Sequence, residues 1–398
     1  MASAVLLAGV ASPALGYTFG STVQQLGSEE TVFDWDTQRC EDINIPDSPA
    51  RAFRDYNNQV ELTLSHYVNR RMTGPDLNNL TVNCTPTMTS DQNPDPSAFD
   101  DYEWIHSPFT LDGRKVYAIV HNEYHGWEYA GECSTQVFTT TCWDNSLTLA
   151  TSTDGGATYT HTTPPTHLVA SVPYVYVPDT GPMGYFTPSN VIFRKSDGYL
   201  YMLGRAEQYQ LQNVGVCVMR TKTPGNPTSW RAWDGTGFNI QFVNPYIDPS
   251  HPEQHVCPPV SFAQIDKMSQ DLIWSSFFGK WLLVGSDALY DPGTGQWTYG
   301  FFYSTSSDLI HWSQRQVLIS GVLPWSYQCG QEDPINYPAV LDPNSTTRNF
   351  STTGQTAYIY FTHFHYSNCI QTLDRDLVRV QFQFLGRPQP TSDPPPDY

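Results

Sequence analysis

The sequence predicts an all-β protein, a five-bladed β-propeller, because one strand phrase recurs five times, turn dipeptides separate the strands, and helical periodicity is scarce. Each copy of the phrase is an apolar run that ends in a polar cluster. A short strand module cannot bury its own apolar face, so it must stack on its neighbours, and a propeller stacks such modules around an axis. The copies read VELTLSHYVN from Val60, VYAIVHNEYH from Val116, LYMLGRAEQY from Leu200, WLLVGSDALY from Trp281 and AYIYFTHFHY from Ala357.

The five modules follow one another without a clear linker, so we expect a single domain over residues 49–384. Apolar runs separated by Asp-Gly or Asp-Pro turns are typical of hairpins. The phrases STDGGATY from Ser152 and SSDLIHW from Ser306 match the Asp-box turn of sialidase-type propellers, in which the Asp caps backbone amides, and we interpret them as structural. The predicted blades cover residues 50–82, 104–160, 187–233, 271–315 and 336–384.

The two ends of the chain differ from the repeats. Residues 1–16 are a candidate signal peptide, since a small and apolar run ends in Ala14, Leu15 and Gly16, although no Lys or Arg precedes it. This run is too short to span a bilayer. We expect residues 17–48 to be an N-terminal extension and the proline-rich residues 385–398 to be a disordered tail.

The charge balance excludes one class of partner. The chain has 398 residues, with 20 Lys and Arg against 39 Asp and Glu, which gives a formal net charge of −19. Such a charge repels nucleic acid. We expect no nucleic-acid partner, no membrane partner, and a monomer.

The cysteines and glycosylation sequons favour a secreted, extracellular glycoprotein. The eight cysteines include no CxxC pair, and an even count in a secreted chain indicates disulfides. Cys133 and Cys142 are close enough to close one hairpin, while the other pairings cannot be deduced from the sequence. Four Asn-x-Ser/Thr sequons fit a glycosylating route, at Asn79, Asn83, Asn344 and Asn349.

The repeat also predicts a site at one opening of the central channel. In each blade the first strand starts and the second strand ends on the same face, because the hairpin that joins them lies on the opposite face. This rim is rich in polar side chains, which are costly to bury unless they are paired or used. The second strands lead to His66, His121, Glu123, Arg205, Glu207, Asp287 and His363, and the first strands are entered through Asp47, Asp101, Glu103, Trp104, Asp271, Glu332, Asp333 and Tyr337.

The phrases FFYSTSSDLIHWS from Phe301 and NYPAVLDP from Asn336, followed by TAYIYFTHFH, resemble the five-bladed propeller glycosidases of glycoside hydrolase family 43 and related furanosidases. The resemblance covers the span from blade one to blade five. It implies an inverting hydrolysis run by an Asp base, a second Asp that tunes and orients, and a Glu acid. The base position corresponds to Asp47 or Asp101. No Glu stands at the start of blade three, where the acid is expected, but Glu207 could reach the same cavity.

Glycosidic cleavage needs one carboxylic acid and one carboxylate, roughly 5 to 10 Å apart, and residues of different blades can supply that gap. We therefore expect a hydrolase of plant or microbial polysaccharides or oligosaccharides, with Asp101 as the base. Glu207 or Glu123 is the expected acid, and Glu332 or Asp333 the tuning member, because adjacent carboxyls raise one another's pKa. Trp104 and Tyr337 are expected to stack on a sugar ring. The remaining predicted substrate-binding residues are His66, Glu103, His121, Arg205, Asp287 and His363.

Other functions remain open from the sequence. A polysaccharide lyase would use His66, His121 or His363 with Arg205 beside a uronate, and a binding propeller would hold a glycan without turnover. A sialidase is disfavoured, because it needs three arginines on one carboxylate and only Arg205 is placed at the rim. A histidine in the channel of such propellers can help to hold a hydrated calcium ion, but no calcium-loop motif is present. No other cofactor is expected.

Overall fold

The computed structural model describes residues 16–161, 163–248 and 250–389. These residues form an all-β structure, which confirms the predicted fold class at that level. The strands are β1 (Tyr17–Phe19), β2 (Val23–Phe33), β3 (Ala52–Arg54), β4 (Val60–Leu64), β5 (Val68–Gly74), β6 (Thr81–Thr89), β7 (Tyr102–Thr110), β8 (Val116–His125), β9 (Trp143–Ser152), β10 (Thr160–His161), β11 (Leu168–Ala170), β12 (Met183–Phe186), β13 (Ile192–Arg194), β14 (Tyr199–Ala206), β15 (Gly215–Thr221), β16 (Arg231–Ala232), β17 (Ile240–Gln241), β18 (Asp271–Ser275), β19 (Lys280–Asp291), β20 (Gln296–Ser306), β21 (Gln316–Gly321), β22 (Ile335–Leu341), β23 (Thr352–Thr353), β24 (Thr356–Ser367) and β25 (Ile370–Phe384).

Helical structure in the described ranges is short. Two single-turn helices are present, α1 (Trp35–Gln38) and α2 (Phe262–Ile265). Six 3₁₀ turns lie at Pro96–Ala98, Gly126–Glu128, Thr140–Cys142, Pro227–Ser229, Pro252–Gln254 and Pro324–Ser326. None of these helices has the length and apolar character needed to cross a bilayer.

Each of the five repeated runs forms a strand that pairs antiparallel with a strand that precedes it in the chain. The pairs are β3 with β4, β7 with β8, β13 with β14, β18 with β19, and β22 with β24. The runs are strands because their apolar side chains are buried on both faces, as in β14 and β19, where successive residues are buried. Continuous rather than alternating burial is typical of a sheet that is packed on both faces.

The strands fall into five antiparallel groups. The first group is β3 to β6, and the fourth is β18 to β21 with β1 at its edge. The second group, β7 to β11, and the third, β12 to β17, share one hydrogen-bonded sheet, because the short strand β12 pairs in parallel with β9 and antiparallel with β14. The fifth group has the order β2, β25, β24 and β22.

The N-terminal segment 17–48 belongs to the domain, which corrects its prediction as an extension. Strand β2 pairs along β25, from Val23 opposite Phe384 to Phe33 opposite Leu377, and β1 pairs with β21. The physical reason is that the outer edge of β25 would otherwise expose unpaired backbone groups. The candidate signal peptide lies in residues 1–15, outside the described residues, apart from Gly16.

The start of the C-terminal tail is bound to the body of the protein. The backbone N–H of Leu385 donates to the carbonyl of Thr22 at 2.9 Å, and that of Gln389 donates to the carbonyl of Phe277 at 2.8 Å. Residues 385–389 are therefore ordered by contacts, in contrast to the prediction. The rest of the predicted tail, residues 390–398, lies outside the described residues.

Buried polar side chains join consecutive groups. Asn69 of β5 donates to the carbonyl of Glu103 and accepts from the N–H of Ile105, which links the first group to the second. The hydroxyl of Ser107 donates to the carbonyl of Ser189 at 2.6 Å, which links the second group to the third. These bonds satisfy backbone groups where two sheets meet, so they specify which groups are neighbours.

The same kind of link continues from the third group to the fifth and back to the first. The side-chain amide of Asn190 makes two 2.7 Å hydrogen bonds to the backbone of Leu272. The hydroxyl of Ser286 donates to Asn336 at 2.7 Å. Arg54 of β3 donates to the carbonyl of Thr347, which follows β22, at 2.7 Å. Each group therefore contacts the next, and the fifth contacts the first.

All eight cysteines are paired, as predicted. The disulfides are Cys40–Cys84, Cys133–Cys142, Cys217–Cys257 and Cys329–Cys369. Cys133–Cys142 is the pairing expected from the sequence. The other three join residues 40 or more positions apart, and such partners depend on the fold.

The sequons and the Asp-box turn also have structural counterparts. Asp154 accepts hydrogen bonds from the hydroxyl of Ser152 and the N–H of Thr158, as expected of a turn cap. Asn79 and Asn344 are exposed. By contrast, the amide of Asn349 makes two hydrogen bonds to the backbone of Thr110, so glycosylation there would break a contact between strands.

Candidate functional site

A cavity of about 850 Å³ lies where the second strands end and the first strands begin. It is partly open, and its wall mixes aromatic rings with histidines, carboxylates and arginines. The predicted rim residues that line it are Asp47, His66, Trp104, His121, Glu123, Arg205, Glu207 and Tyr337.

The strand register explains why these residues meet. Glu123 lies at the end of β8 and pairs with Tyr102 at the start of β7, so both face the same edge of the second group. Arg205 occupies the equivalent position near the end of β14. His66 follows β4, and Tyr337 lies near the start of β22. Antiparallel pairing thus brings residues from distant parts of the chain to one edge.

Glu123 is the most heavily bonded carboxylate of the cavity. Its Oε2 accepts from His125 Nε2 and from Trp143 Nε1, each at 3.0 Å, and its Oε1 lies 3.4 Å from His121 Nδ1. The side chain is 14% exposed, which leaves it in contact with the cavity. The opposite ring nitrogen of His121 lies 2.8 Å from Asn145 Oδ1, which holds the imidazole in place.

These contacts keep Glu123 ionised. Burial on its own raises the pKa of Glu123, but the hydrogen bond from His125 and the positive character of both imidazoles outweigh it, so the pKa lies below the ordinary value. Burial lowers the pKa of His121, against the opposing effect of Glu123. Glu123 is therefore a fixed negative charge in the cavity, and burial disfavours the protonated form of His121 beside it.

A second carboxylate, Asp47, lies beside a tyrosine and an arginine of the fifth group. Its Oδ1 accepts from Arg375 Nη1 and from the hydroxyl of Tyr337 at 3.2 Å, and its Oδ2 lies 3.9 Å from His66 Nε2. Burial lowers the pKa of His66 to about 4, so its imidazole is neutral at neutral pH. The negative charges of Asp47 and Glu123 both oppose this lowering of the His66 pKa.

A third carboxylate, Glu207, also lines the cavity. It forms an ion pair with Arg205, whose guanidinium lies 5.7 Å from the ring centroid of Phe186. Phe186 packs edge-on against Trp143, with ring centroids 5.2 Å apart, and Trp143 is the residue that donates to Glu123. Asp47, Glu123 and Glu207 thus all lie on the wall of one cavity.

Aromatic rings complete the wall beside these carboxylates. The imidazole of His125 is stacked between Tyr102 and Trp127, with centroids 4.3 Å away on each side. Trp104 packs edge-on against His66 at 5.7 Å. Stacked rings of this kind offer flat apolar faces, while the carboxylates and arginines offer hydrogen bonds, which is the composition of a site for a polar ligand with apolar faces.

Asp101, the predicted base, does not line the cavity. Its carboxylate accepts from the hydroxyl of Tyr129 and from the backbone N–H of His125 at 2.9 Å. It is 2% exposed, and burial raises its pKa to about 6. Asp101 is a buried support of the stack that contains His125, which corrects its expected role.

Replacing Asp101 by Asn is expected to change the pH dependence of stability. The folded pKa of about 6 exceeds the ordinary 3.8, so Asp101 contributes stability below pH 3.8 and loses it as the pH rises through 6. That loss amounts to about 3 kcal/mol. Urea unfolding at pH 4 and pH 7 checks this. The free energy of unfolding should fall less between these pH values in the variant than in the wild type. An equal fall in both proteins would contradict the assignment.

Five other predicted residues also lie away from the cavity. Glu103 is buried against His161 at 2.7 Å, Asp287 pairs with Arg315 at 3.2 Å, and His363 lies 3.6 Å from Glu29. Asp333 lies 3.5 Å from His365, and Glu332 lines a different surface cavity. Strand alternation explains Glu103, because neighbouring residues on a strand point to opposite faces. For Asp287, Asp333 and His363, an oppositely charged or imidazole partner on another element holds the side chain.

Several cavity residues were not predicted. His125 continues the polar end of the second run, and this position was the one available signal. Arg375 belongs to a third strand and reaches Asp47 across 328 positions of sequence, so no local pattern indicates it. The unpredicted lining residues with aromatic, imidazole or charged side chains are Tyr67, Tyr102, His106, His125, Trp127, Glu128, Phe138, Trp143, Phe186, Lys267, Trp325, Phe364 and Arg375.

The possible calcium ion in the channel stays a prediction. The cavity offers carboxylate oxygens, which calcium prefers, and also imidazoles and guanidinium groups, which disfavour it. His106 of the cavity wall is buried, and both burial and the charge of Arg51 lower its pKa. No step of the chemistry is assigned to a metal.

Comparisons with known proteins find structures but no sequence relatives. No family model matches the chain, and no curated protein matches it. A glycosyl hydrolase from Bacteroides ovatus matches with a TM-score of 0.48 at 11% identity, over 95% of this chain and 97% of that one. An endo-arabinase from Bacteroides thetaiotaomicron matches with a TM-score of 0.42 at 10% identity, over 90% and 98%. The Cellvibrio cellulosa α-L-arabinanase in complex with arabinohexaose matches with a TM-score of 0.44 at 11% identity, over 84% and 91%. The chain thus resembles solved glycosyl hydrolases and arabinanases over most of its length, at low identity.

Proposed function

We propose that the protein is a secreted glycoside hydrolase that cleaves polysaccharides or oligosaccharides by carboxylate acid/base catalysis. The observation that carries this proposal is that Asp47, Glu123 and Glu207 all lie on the wall of one aromatic-lined cavity. Glycosidic cleavage requires carboxyl groups on both sides of the scissile bond, together with surfaces that hold the sugar.

Asp47 is the proposed base. Arg375 and Tyr337 hold its Oδ1, so the carboxylate has a defined orientation before substrate binds. In the reaction, Asp47 takes a proton from water as the water oxygen bonds to the anomeric carbon. This attack on the face opposite the leaving group inverts the configuration at that carbon.

Glu207 is the proposed acid. Of the two expected acids, Glu123 is held ionised by its imidazole and indole donors, which leaves Glu207. Glu207 gives a proton to the glycosidic oxygen as the bond to the anomeric carbon breaks, and it regains a proton from solvent. Arg205 pairs with Glu207, so a sugar hydroxyl that engages Arg205 would free the Glu207 carboxyl to reach the glycosidic oxygen.

Glu123 takes the tuning and orienting role. Its negative charge lies on the wall of the same cavity as the other two carboxylates, where it would stabilise the positive charge that develops on the sugar ring in the oxocarbenium-like transition state. The imidazoles and the indole of Trp143 hold the carboxylate in place before substrate binds, so the reaction needs no energy to reorient it. This revises the expectation that Glu332 or Asp333 supplies the tuning carboxyl.

A five-bladed propeller is the proposed architecture. The support is the closed sequence of contacts in which each antiparallel group meets the next and the fifth meets the first. Each group also places the end of its second strand at the cavity. Secretion is supported by the four disulfides, because such bonds persist in oxidising compartments.

The test is incubation with arabinan, xylan and galactan, followed by product chromatography, reducing-end measurement and ultraviolet absorbance. We expect released sugar from at least one polymer without an absorbing product. On that substrate, Asp47→Asn and Glu207→Gln should each lower kcat by about 10²- to 10⁴-fold. Glu332→Gln is the matched control, since Glu332 lies outside the cavity. Wild-type rates in both cavity variants would contradict the assignment.

One observation favours a lyase as the second candidate. His66, Tyr337 and Arg375 surround Asp47, and the low pKa of His66 leaves a neutral imidazole that can accept a proton at neutral pH. Arg375 would neutralise the carboxylate of a uronate. Incubation with a uronate polymer separates the two functions: an unsaturated product that absorbs in the ultraviolet would establish the lyase.

A further inference from the structure

A second surface cavity, of about 590 Å³, lies beside the fourth group. Three segments form it: the start of β1, the hairpin between β19 and β20, and the loop that follows β21. It is lined by Gly16, Tyr17, Thr18, Trp297, Thr298, Tyr299, Ser320, Gly321, Val322, Ser326, Gln328, Gln331 and Glu332. We call it the outer cavity.

The hairpin of the outer cavity extends beyond its sheet. Pairing of β20 with β21 ends at Gly300, and pairing of β19 with β18 ends at Val284, but β19 and β20 continue to pair up to Asp291 and Gln296. The projecting part has a strand partner only within the hairpin, among the pairings described. A projection of this kind adds surface without contributing to the core.

The projecting hairpin carries a row of aromatic rings on one face. Tyr290 and Trp297 are opposite each other in the register, with ring centroids 5.2 Å apart, and Tyr299 lies two residues along the same strand at 6.3 Å from Trp297. Cross-strand partners and residues two apart share a face of a hairpin. Tyr290 and Trp297 are 47% and 56% exposed. Exposed rings in a row mark a binding surface more often than a structural one.

One loop separates the outer cavity from the cavity of the proposed active site. Pro324 and Trp325 line the active-site cavity, while Ser326, Gln328 and Gln331 line the outer cavity. Trp325 is 58% exposed at the boundary. A chain-like ligand that leaves the active site over Trp325 therefore arrives at the outer cavity.

The separating loop is firmly held. The disulfide Cys329–Cys369 joins it to the hairpin between β24 and β25, and the rings of Tyr327 and Tyr366 pack at 4.3 Å. Within the loop, the N–H of Gln328 donates to the side chain of Gln331 at 2.7 Å. A surface that is already ordered loses little entropy when it binds a ligand.

We propose that the outer cavity is a distal binding site for the same polysaccharide that the active-site cavity binds. This inference rests on the proposed function. The aromatic row supplies flat faces for the apolar sides of sugar rings, and Gln328, Gln331 and Ser320 supply hydrogen bonds for hydroxyls. Glu332 in the cavity and the net charge of −19 repel polyanions, so the fitting ligand is a neutral glycan.

The test compares long and short ligands. In a Glu123→Gln background, so that the ligand is not consumed, titration calorimetry measures the affinity for the reactive polymer and for its trisaccharide fragment. Adding Trp297→Ala is expected to weaken polymer binding by about tenfold, as for an aromatic anchor of an interface. Trisaccharide affinity should stay within about twofold, because a short ligand occupies the active-site cavity alone. Tyr56→Ala, which removes an exposed ring elsewhere, is the matched control and should change neither affinity.

The outcomes distinguish this inference from the proposed function. Equal polymer affinity with and without Trp297, alongside turnover by the wild type, would overturn the distal site and leave hydrolysis intact. If polymer binding depends on Trp297 but the wild type turns over no glycan, the distal site would be supported and the proposed hydrolysis would be contradicted. A dimer that dissociates on Trp297→Ala in size-exclusion chromatography would overturn the proposal in favour of a contact with a second copy.

Discussion

Replacing Glu123 by Gln is expected to lower kcat on the reactive glycan by about 10²- to 10³-fold, the typical cost of removing one preorganised electrostatic group. The amide is isosteric and still accepts from His125 and Trp143, so the change removes charge rather than shape. Without the negative charge of Glu123, the positive charge that develops on the sugar ring in the transition state is less stabilised. Steady-state kinetics at several pH values measures the effect.

The matched control for Glu123→Gln is Glu128→Gln. Glu128 lines the same cavity and accepts from the indole of Trp127 at 3.0 Å, but it has no described hydrogen bond or ion pair with the residues that hold Asp47, Glu123 or Glu207. We expect this control to stay within about threefold of the wild-type rate, because it removes a cavity charge that has no proposed part in the reaction. Equal losses in both variants would show that the cavity responds to any lost charge, and an unchanged rate in Glu123→Gln would end the proposed role.

Replacing Asp271 by Ala is expected to destabilise the protein by about 3–5 kcal/mol, the cost of leaving a buried charge without its partner. Arg51 and Asp271 come from the first and fourth groups, and both side chains are less than 5% exposed. Asp271 also accepts from the N–H of Val340 in the fifth group at 2.8 Å, and Arg51 donates to the carbonyl of Gln270. One ion pair thus ties three groups together.

Urea unfolding measures the cost, and a double variant separates charge from shape. Arg51→Met with Asp271→Leu removes both charges, and it should recover about half or more of the loss, because buried ion pairs replaced by apolar groups are often neutral. The exposed pair of Arg39 and Asp42 is the control, where Asp42→Ala should cost less than about 1 kcal/mol. A double variant as unstable as Asp271→Ala would contradict this explanation.

The candidate site was predictable where it depends on hairpin topology. His121, Glu123 and Arg205 follow apolar runs at equivalent positions, and antiparallel pairing brings such positions to one edge whatever the side chains are. Their presence in one cavity therefore follows from the repeat. The same rule also predicted Asp101 and Glu103 at the cavity, which they do not line. Their orientation depends on partners such as Tyr129 and His161 from other parts of the chain.

The sequence by itself determined the five apolar runs that form strands, the turns between them, the presence of disulfides and several polar residues at the strand ends, because apolar runs and turn residues act locally. The tertiary structure decided which rim residues face the cavity and which instead form ion pairs away from it. It also decided that β2 completes the fifth group and that Arg375 orients Asp47. These contacts join residues hundreds of positions apart, and their energies depend on burial and on the partner's charge, which no local pattern records.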